Sequence, residues 1–325
     1  MSTLNLYCMG GCGVNIGLNF LKYAGRSDPG FAEINPYFID ASRSNVGKDI
    51  PDDMMYLVDG LDGSGKRRDS NYAALSECSR EILHKFKPSD INVVLHGTGG
   101  GTGSTIGPIL VSELLGRGES VIVLAVGSTA SRIETDNTIK TLKSYEMISR
   151  KRELPVNVHY RENSGSMTRG RADYELQTAV TILAAIFSGA NHELDSSDLK
   201  NFINYTRVTS YAPKLSYIDF FSKDITIGKG QAIVSLVTLV DQKTSSDTPI
   251  PVEYQAVGFL PESTKKLVDE NIQLPIHASV ISGYFNQVIE GLEKKLATFD
   301  EARAVVIEKS IISNDQQSTD EGLVL

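Results

Sequence analysis

The first half of the chain alternates short apolar runs with stretches of helical periodicity. Buried strands are predicted at LNLYCM (4–9), PYFI (36–39), MMYLV (54–58), INVVLH (91–96), VIVLAV (121–126) and PVNVHY (155–160). Apolar residues at three- and four-residue spacing predict helices between them, over 74–86, 105–116 and 134–151. This alternation predicts an α/β fold in which helices cover both faces of a mainly parallel sheet.

The second half of the chain has a different pattern. Residues 174–187, YELQTAVTILAAIF, are apolar on nearly every face, which predicts a central helix buried on all sides between two domains. The runs at 231–240 and 251–260 predict strands of a smaller α/β domain with a mixed sheet. An amphipathic C-terminal helix is predicted by apolar residues at three- and four-residue steps, namely Phe285, Val288, Ile289, Leu292, Leu296 and Phe299. The acidic ending NDQQSTDEGLVL predicts a flexible tail.

Composition narrows the class of protein without giving an activity. The 325 residues suffice for two domains, and 41% hydrophobic with 22% charged residues is typical of a soluble globular protein. No apolar run approaches the ~20 residues that span a bilayer, and the N-terminus lacks a secretory signal. Three cysteines without a CxxC or Cys/His cluster indicate a reducing cytoplasm and no metal site. A net charge of −8 argues against nucleic acid as the direct partner.

The strongest chemical motif is the loop GTGGGTGST, residues 97–105. It follows a predicted strand directly and precedes a predicted helix, where free backbone amides and the helix dipole favour an anion. Glycines let the backbone approach such a ligand closely. A flexible linker or a glycine-rich helix cap is the alternative interpretation.

Two further glycine-rich loops follow predicted strands of the same sheet. GGCGVNIG (10–17) contains a loose dinucleotide-binding spacing, and GLDGSGKR (60–67) nearly matches a P-loop, although Arg67 replaces its hydroxyl residue. Because the carboxyl ends of parallel strands share one edge of a sheet, the three loops together predict a polyphosphate site there.

These motifs resemble the tubulin/FtsZ superfamily over about residues 8–200. GGGTGS (99–104) reproduces its signature loop, GGCGVNIG resembles the first phosphate loop of eukaryotic tubulin, and 174–187 occupies the place of its central helix. NHELDSSDL (191–199) is similar to its catalytic loop, whose two acids are here Asp195 and Asp198. The short chain and the ending DEGLVL are most like the tubulins of large phages.

The resemblance implies a GTPase that polymerises head-to-tail into cytoskeletal filaments and hydrolyses GTP, with Mg²⁺, at the subunit interface. It divides the chain into a Rossmann-like GTP-binding domain (1–172), a central helix (173–190), an activation domain (191–299) and a helix end with an acidic tail (300–325). It also implies work in the host bacterial cytoplasm, positioning phage DNA, with no direct nucleic-acid or membrane contact. The tail residues that would dock on the neighbouring subunit are Asp315, Asp320 and Glu321.

The same resemblance assigns nucleotide contacts. The residues implied to surround the phosphates are Gly10, Gly11, Cys12, Gly13, Asp40, Gly63, Ser64, Gly65, Gly99, Gly100, Gly101, Thr102, Gly103 and Ser104. Asn163 would contact guanine, Tyr174 would stack on it, and Glu134 would reach the ribose. The alternative for Tyr174 is a plain core tyrosine. The alternative for Glu134 is a place on a solvated helix face. Lys66 either adds charge to the site or is a solvated surface lysine.

The acid pair has two interpretations. Carboxylates three residues apart at a helix start lie on one face and can orient a water or Mg²⁺. Asp195 and Asp198 can equally serve as an N-cap with a first-turn acid.

The sequence departs from the superfamily pattern at Glu193 and Thr178, where asparagines are expected.

Two rival functions stay open at this point. A Rossmann oxidoreductase would use GGCGVNIG for NAD and requires an acid on the ribose ~20 residues after the glycines, whereas Asp40 lies somewhat further on. That assignment leaves the signature loop and the acid pair without a role. A filament-forming nucleotide-binding protein with little hydrolysis would share these motifs and differ only in turnover, and Glu193 is compatible with it.

Overall fold

The computed structural model describes residues 2–26, 28–47, 49–61, 63–165, 167–220, 231–240, 252–261, 272–279 and 283–308. Ten strands are described: β1 Thr3–Met9, β2 Glu33–Asp40, β3 Met55–Leu57, β4 Ile91–Gly97, β5 Val121–Ser128, β6 Val156–Asn163, β7 Leu215–Ile218, β8 Gln231–Val240, β9 Gln255–Phe259 and β10 Ile272–Ser279. Seven helices accompany them: α1 Gly10–Gly17, α2 Arg68–Lys85, α3 Thr102–Gly116, α4 Arg132–Arg152, α5 Arg169–Ile186, α6 Ser196–Ile203 and α7 Tyr284–Glu308. All six predicted N-terminal strands are confirmed.

One sheet runs through the described chain in the order β3-β2-β1-β4-β5-β6-β7-β10-β8-β9. The first seven strands in this order are parallel. β10 is antiparallel to β7 and β8, and β9 is parallel to β8, so the far end is mixed. The predicted α/β fold is therefore confirmed, and β1 lies at the point where the strand order reverses, which is where such sheets bind ligands.

Alternating side chains of each strand enter two separate cores. On β1, Leu4, Leu6 and Cys8 face the core that contains α1 and α5. Tyr7 and Met9 face the other core, which contains α2, α3, α4 and α7. Since both faces are covered, the parallel strands read as continuous apolar runs rather than alternating ones.

The central helix α5 is not buried on all sides, so that expectation is wrong. Leu176 and Leu183 are fully buried, whereas Tyr174 is 68% exposed and Thr181 is also exposed. The helix covers one face of the sheet and leaves its outer side to water. Alanine and threonine fit either side of a helix, so the sequence pattern could not show which side is exposed.

The second half contains the two predicted strands as β8 and β9, and the predicted C-terminal helix as α7. The continuous sheet gives no break at the predicted domain boundaries, which stay a prediction. The tail residues Asp315, Asp320 and Glu321 lie outside the described residues. None of the helices in the described ranges combines the length and apolar character needed to cross a membrane.

Candidate functional site

A cavity of about 330 Å³ lies at the carboxyl ends of β1, β2 and β4. Four loops meet there, which are the β1–α1 turn, the loop after β2, the loop before α2 (the third loop) and the loop before α3 (the signature loop). The lining residues are Met9, Gly10, Gly11, Cys12, Asp40, Ser42, Ser44, Asn45, Gly63, Ser64, Gly65, Lys66, Gly97, Gly100, Gly101, Thr102 and Gly103. The structure thus brings the three predicted glycine-rich loops into one site.

The first loop and the signature loop touch through their backbones. Gly10 has φ of +66°, and a Cβ on it would lie 3.1 Å from the amide nitrogen of Gly103. A Cβ on Gly103 would lie 2.9 Å from the carbonyl oxygen of Gly97. Only glycine allows this approach, and it leaves backbone amides at the starts of α1 and α3 beside the cavity.

The third loop packs directly on the signature loop. A Cβ on Gly101 would lie 2.0 Å from the Ser64 hydroxyl oxygen, and the Thr102 hydroxyl lies 3.4 Å from the same atom. From α4, the buried Asn137 amide donates to the carbonyl oxygens of Lys66, at 2.8 Å, and Gly99, at 3.0 Å. One side chain therefore ties both loops together.

Asp40 lines the cavity but is occupied with its own loop. Its carboxylate accepts hydrogen bonds from the amides of Ala41 at 2.7 Å and Ser42 at 3.3 Å, and from the Asn45 side chain at 2.9 Å. Burial raises the pKa of Asp40, although those hydrogen bonds act to lower it. The carboxylate shapes the second loop instead of facing a ribose, which disfavours the NAD interpretation.

Three predicted phosphate contacts do not line this cavity. A Cβ on Gly13 would lie 2.4 Å from the carbonyl oxygen of Leu95, so this glycine serves helix–strand packing. Gly99 packs against Ser128 and Glu134. Ser104 is fully buried and donates its hydroxyl to the Gly101 carbonyl at 3.1 Å, which closes the turn.

The three residues predicted to contact the nucleoside lie on β6, α4 and α5. Asn163 ends β6 opposite Ser128, at the same edge of the sheet as the cavity. Glu134 accepts from Ser128 at 2.9 Å and pairs with Lys66 at 2.5 Å. Tyr174 projects into solvent from the first turns of α5, so it is no core tyrosine. The position of Tyr174 leaves its ring available to stack on a planar group.

Asp195 and Asp198 lie at the other end of the molecule. Asp195 borders a groove of about 1190 Å³ that is also lined by Thr3, Asn35 and Ser120, near the amino ends of β1, β2 and β5. Asp198 follows in the first turn of α6. A seven-residue strand such as β4 is about 20 Å long, so the acids and the phosphate loops of one chain cannot meet.

The acid pair also forms a complete capping box on α6. The Asp195 carboxylate accepts from the amides of Ser197 at 2.7 Å and Asp198 at 2.9 Å, and Asp198 accepts from the Asp195 amide at 3.3 Å. The Tyr254 hydroxyl donates to Asp198 at 3.1 Å. The capping interpretation therefore holds geometrically, while the exposed Asp195 keeps free acceptor capacity at the groove.

Sequence reasoning did not assign Ser42, Ser44 and Asn45, which line the cavity beyond β2. A signal existed, because the polar run DASRSN directly follows a predicted strand. Within the described part of the chain, no group of three or more His, Cys, Asp or Glu could hold a metal ion.

Comparison with known proteins agrees with this geometry. No protein-family model matches the chain. It is 27% identical to the phage tubulin-like protein of Pseudomonas phage PhiPA3 over 327 residues, 98% of each chain. Its structure matches the protofilament of TubZ from Bacteriophage PhiKZ, with a TM-score of 0.83, 25% identity and full coverage of both chains. It also matches the phage tubulin PhuZ in a structure with GDP, with a TM-score of 0.81, 19% identity and 99% coverage of both.

The chain has the tubulin/FtsZ-like fold, with its glycine-rich loops on the carboxyl edge of the parallel sheet. Within that fold, sequence and structure place it close to the phage tubulin-like proteins.

Proposed function

We propose that this protein is a GTPase that polymerises head-to-tail into filaments and completes its active site between two copies. The main support for this proposal is that the phosphate cavity and the acids Asp195 and Asp198 lie at opposite ends of one sheet. Stacking copies along the strand direction would bring the acids of one subunit over the cavity of the next. The relatives support this arrangement, since one similar structure is a protofilament and another contains GDP.

In this proposal the phosphates of GTP bind the backbone amides at the starts of α1 and α3. Both helix N-termini direct partial positive charge into the cavity. Gly10 and Gly103 make that approach possible because neither carries a Cβ. The exposed Tyr174 would stack on the base and Asn163 would hydrogen-bond it.

Mg²⁺ fits the cavity only together with the nucleotide. The hydroxyls of Ser64 and Thr102 lie on the cavity wall, whereas the Asp40 carboxylate is already hydrogen-bonded. Mg²⁺ typically keeps several waters and binds substrate phosphates with few protein ligands. When bound, it would neutralise charge on the phosphates during transfer.

Asp195 and Asp198 of the neighbouring copy would orient the water that attacks the terminal phosphorus. Water adds to that phosphorus, the bond to the bridging oxygen breaks, and GDP and phosphate leave. Phosphoryl transfer depends mainly on such positioning and on charge stabilisation. The acids already sit on a rigid helix start, since the capping box fixes both side chains.

The proposal extends to the setting in which the filament works. As in the proposal from sequence, the protein would act in the host bacterial cytoplasm, position phage DNA without contacting it directly, and dock its acidic tail on the neighbouring subunit. The chain's likeness to phage tubulin-like proteins supports this setting.

The test separates catalysis from capping. Asparagine caps a helix about as well as aspartate but carries no charge. We therefore expect Asp195→Asn to keep stability and GTP binding, to abolish phosphate release and to give longer-lived filaments. Asp198→Asn should have the same effect on phosphate release and filaments but lose some stability, because both carboxylate oxygens of Asp198 accept hydrogen bonds and asparagine has one oxygen. Right-angle light scattering and phosphate release on adding GTP, with GDP and NAD as controls, measure both properties.

Three outcomes of these measurements would contradict parts of the proposed function. Unchanged phosphate release in both asparagine variants would leave these acids with a capping role only. Assembly of the unmodified protein without any phosphate release would favour the filament former with little hydrolysis. Binding of NAD in place of GTP would overturn the proposed function.

A further inference from the structure

Lys66 is the one cationic side chain among the described residues that line the phosphate cavity. It follows the last glycine of the third loop and precedes Arg67, which stands where the P-loop motif has serine or threonine. Its Cα lies 3.2 Å from where a Cβ on Gly101 would be, so its backbone touches the signature loop. A cation at this position stands beside any phosphate held by that loop.

The backbone of Lys66 is held in an unfavourable conformation. Its φ is +60°, in the left-handed region that is unfavourable for a residue with a Cβ. Asn137 fixes this conformation by donating to the Lys66 carbonyl at 2.8 Å. Such strain persists where surrounding structure enforces it, and it is concentrated at functional sites.

The side chain of Lys66 has a partner that it can leave. Its amine pairs with Glu134 at 2.5 Å, yet the lysine side chain is 51% exposed, while that of Glu134 is 13% exposed. Burial acts to raise the pKa of Glu134, but the hydrogen bonds from Lys66 and Ser128 outweigh it and the pKa is lowered. Four rotatable bonds let the lysine amine move while the carboxylate stays with Ser128.

We propose that Lys66 exchanges Glu134 for the terminal phosphate of a nucleoside triphosphate, so that it sets the preference for triphosphate over diphosphate. This inference rests on the proposed function, because it takes the cavity to bind a guanine nucleotide. A diphosphate lacks the terminal group, so Lys66 stays on Glu134. The exchange also leaves the Glu134 carboxylate free for the ribose hydroxyls when a triphosphate is bound.

The experiment measures dissociation constants of GTPγS and GDP by titration below the assembly concentration. We expect Lys66→Gln to weaken GTPγS binding by roughly tenfold or more, because a charge-assisted contact is lost, and to leave GDP binding nearly unchanged. Lys140→Gln is the matched control, since Lys140 pairs with Asp136 beside a neighbouring cleft and does not line the cavity. Lys140→Gln should have the same ratio of GTPγS to GDP dissociation constants as the unmodified protein.

Glu134→Gln distinguishes the phosphate contact from the ion pair. If the contact matters, this variant keeps or increases the preference for GTPγS, even where affinity for both nucleotides falls through the ribose. A loss of preference in Glu134→Gln equal to that in Lys66→Gln would overturn the proposal. An equal loss of GTPγS and GDP affinity in Lys66→Gln would overturn it too.

Failure of the proposed function gives a different result. In that case the unmodified protein binds neither nucleotide. Circular dichroism melting curves of all variants show that the fold is retained, so that a changed ratio is not a folding effect.

Discussion

At the scale of single residues, the glycines of the signature loop differ in whether the surrounding structure leaves room for a side chain. Gly103 is surrounded by backbone, since a Cβ would meet the carbonyl oxygens of Gly97 at 2.9 Å and Met9 at 3.1 Å. A Cβ on Gly100 would meet no atom within 4 Å. The packing of the loop therefore requires glycine at position 103 but not at position 100.

We expect Gly103→Ala to lower the free energy of unfolding by about 1–3 kcal/mol, because backbone atoms cannot move aside as a side chain can. Gly100→Ala, the matched control, should change it by less than about 0.5 kcal/mol. Urea unfolding without nucleotide measures both. Equal stability of the two variants would show that the carbonyls of Gly97 and Met9 accommodate a methyl group on Gly103 without cost.

Sequence reasoning located the glycines of the site but could not separate them by role. GGCG contains three glycines of identical appearance, yet Gly13 packs on Leu95 while Gly10 and Gly11 line the cavity. The difference depends on a strand that lies 80 residues later in the chain. Likewise, nothing local marks Asn137 of a solvated-looking helix as the residue that joins two loops.

At the scale of elements, the predicted strands were recovered because burial on both faces makes them continuous apolar runs. The exposed side of α5 was missed because small and polar residues carry little amphipathic signal. α6 shows the reverse case, since its DxxD spacing supports both a cap and a catalytic pair and the structure contains the cap.

Helix α7 is held to α4 mainly by apolar contact. Leu292 is 1% exposed and shares a core with Leu142 and Tyr145. The ion pairs between the two helices, Lys143–Glu293 at 2.8 Å and Arg132–Asp300 at 2.5 Å, are about half exposed and contribute little.

We expect Leu292→Ala to destabilise the protein by about 3 kcal/mol through loss of buried surface and an unfilled cavity. Lys294→Ala on the exposed side of the same helix is the control and should stay within about 0.5 kcal/mol. Thermal and urea unfolding followed by circular dichroism give both values. A similar small effect of both substitutions would mean that α7 is not an integral part of the core.

At the scale of the whole molecule, the single sheet separates the glycine-rich cavity from the acid pair by the length of its strands. The cavity lies at the carboxyl edge, and Asp195 borders the groove at the amino edge. This separation predicts behaviour that no single chain can show.

We expect two inactive variants to restore activity when mixed. Gly100→Leu places a bulky side chain at the cavity, starting from a position where a Cβ would meet no atom within 4 Å, and Asp198→Asn removes one acid. An interface that joins the intact cavity of the second variant to the intact acids of the first should release phosphate above the sum of the separate samples. Cosedimentation confirms joint assembly, and joint assembly without added phosphate release would contradict completion of the site between copies.

The strand order has a further consequence during synthesis of the chain. β1 pairs with β4, which spans residues 91–97. The first loop therefore cannot contact the signature loop until the ribosome has made β4 and the residues that follow it. Every residue that lines the phosphate cavity precedes residue 104, and Asn137, which joins the loops, follows soon after. A ribosome has therefore made every loop of this cavity well before it reaches Asp195 and Asp198. If the proposed function holds, a nascent chain completes its phosphate-binding loops before it contains the acids for hydrolysis.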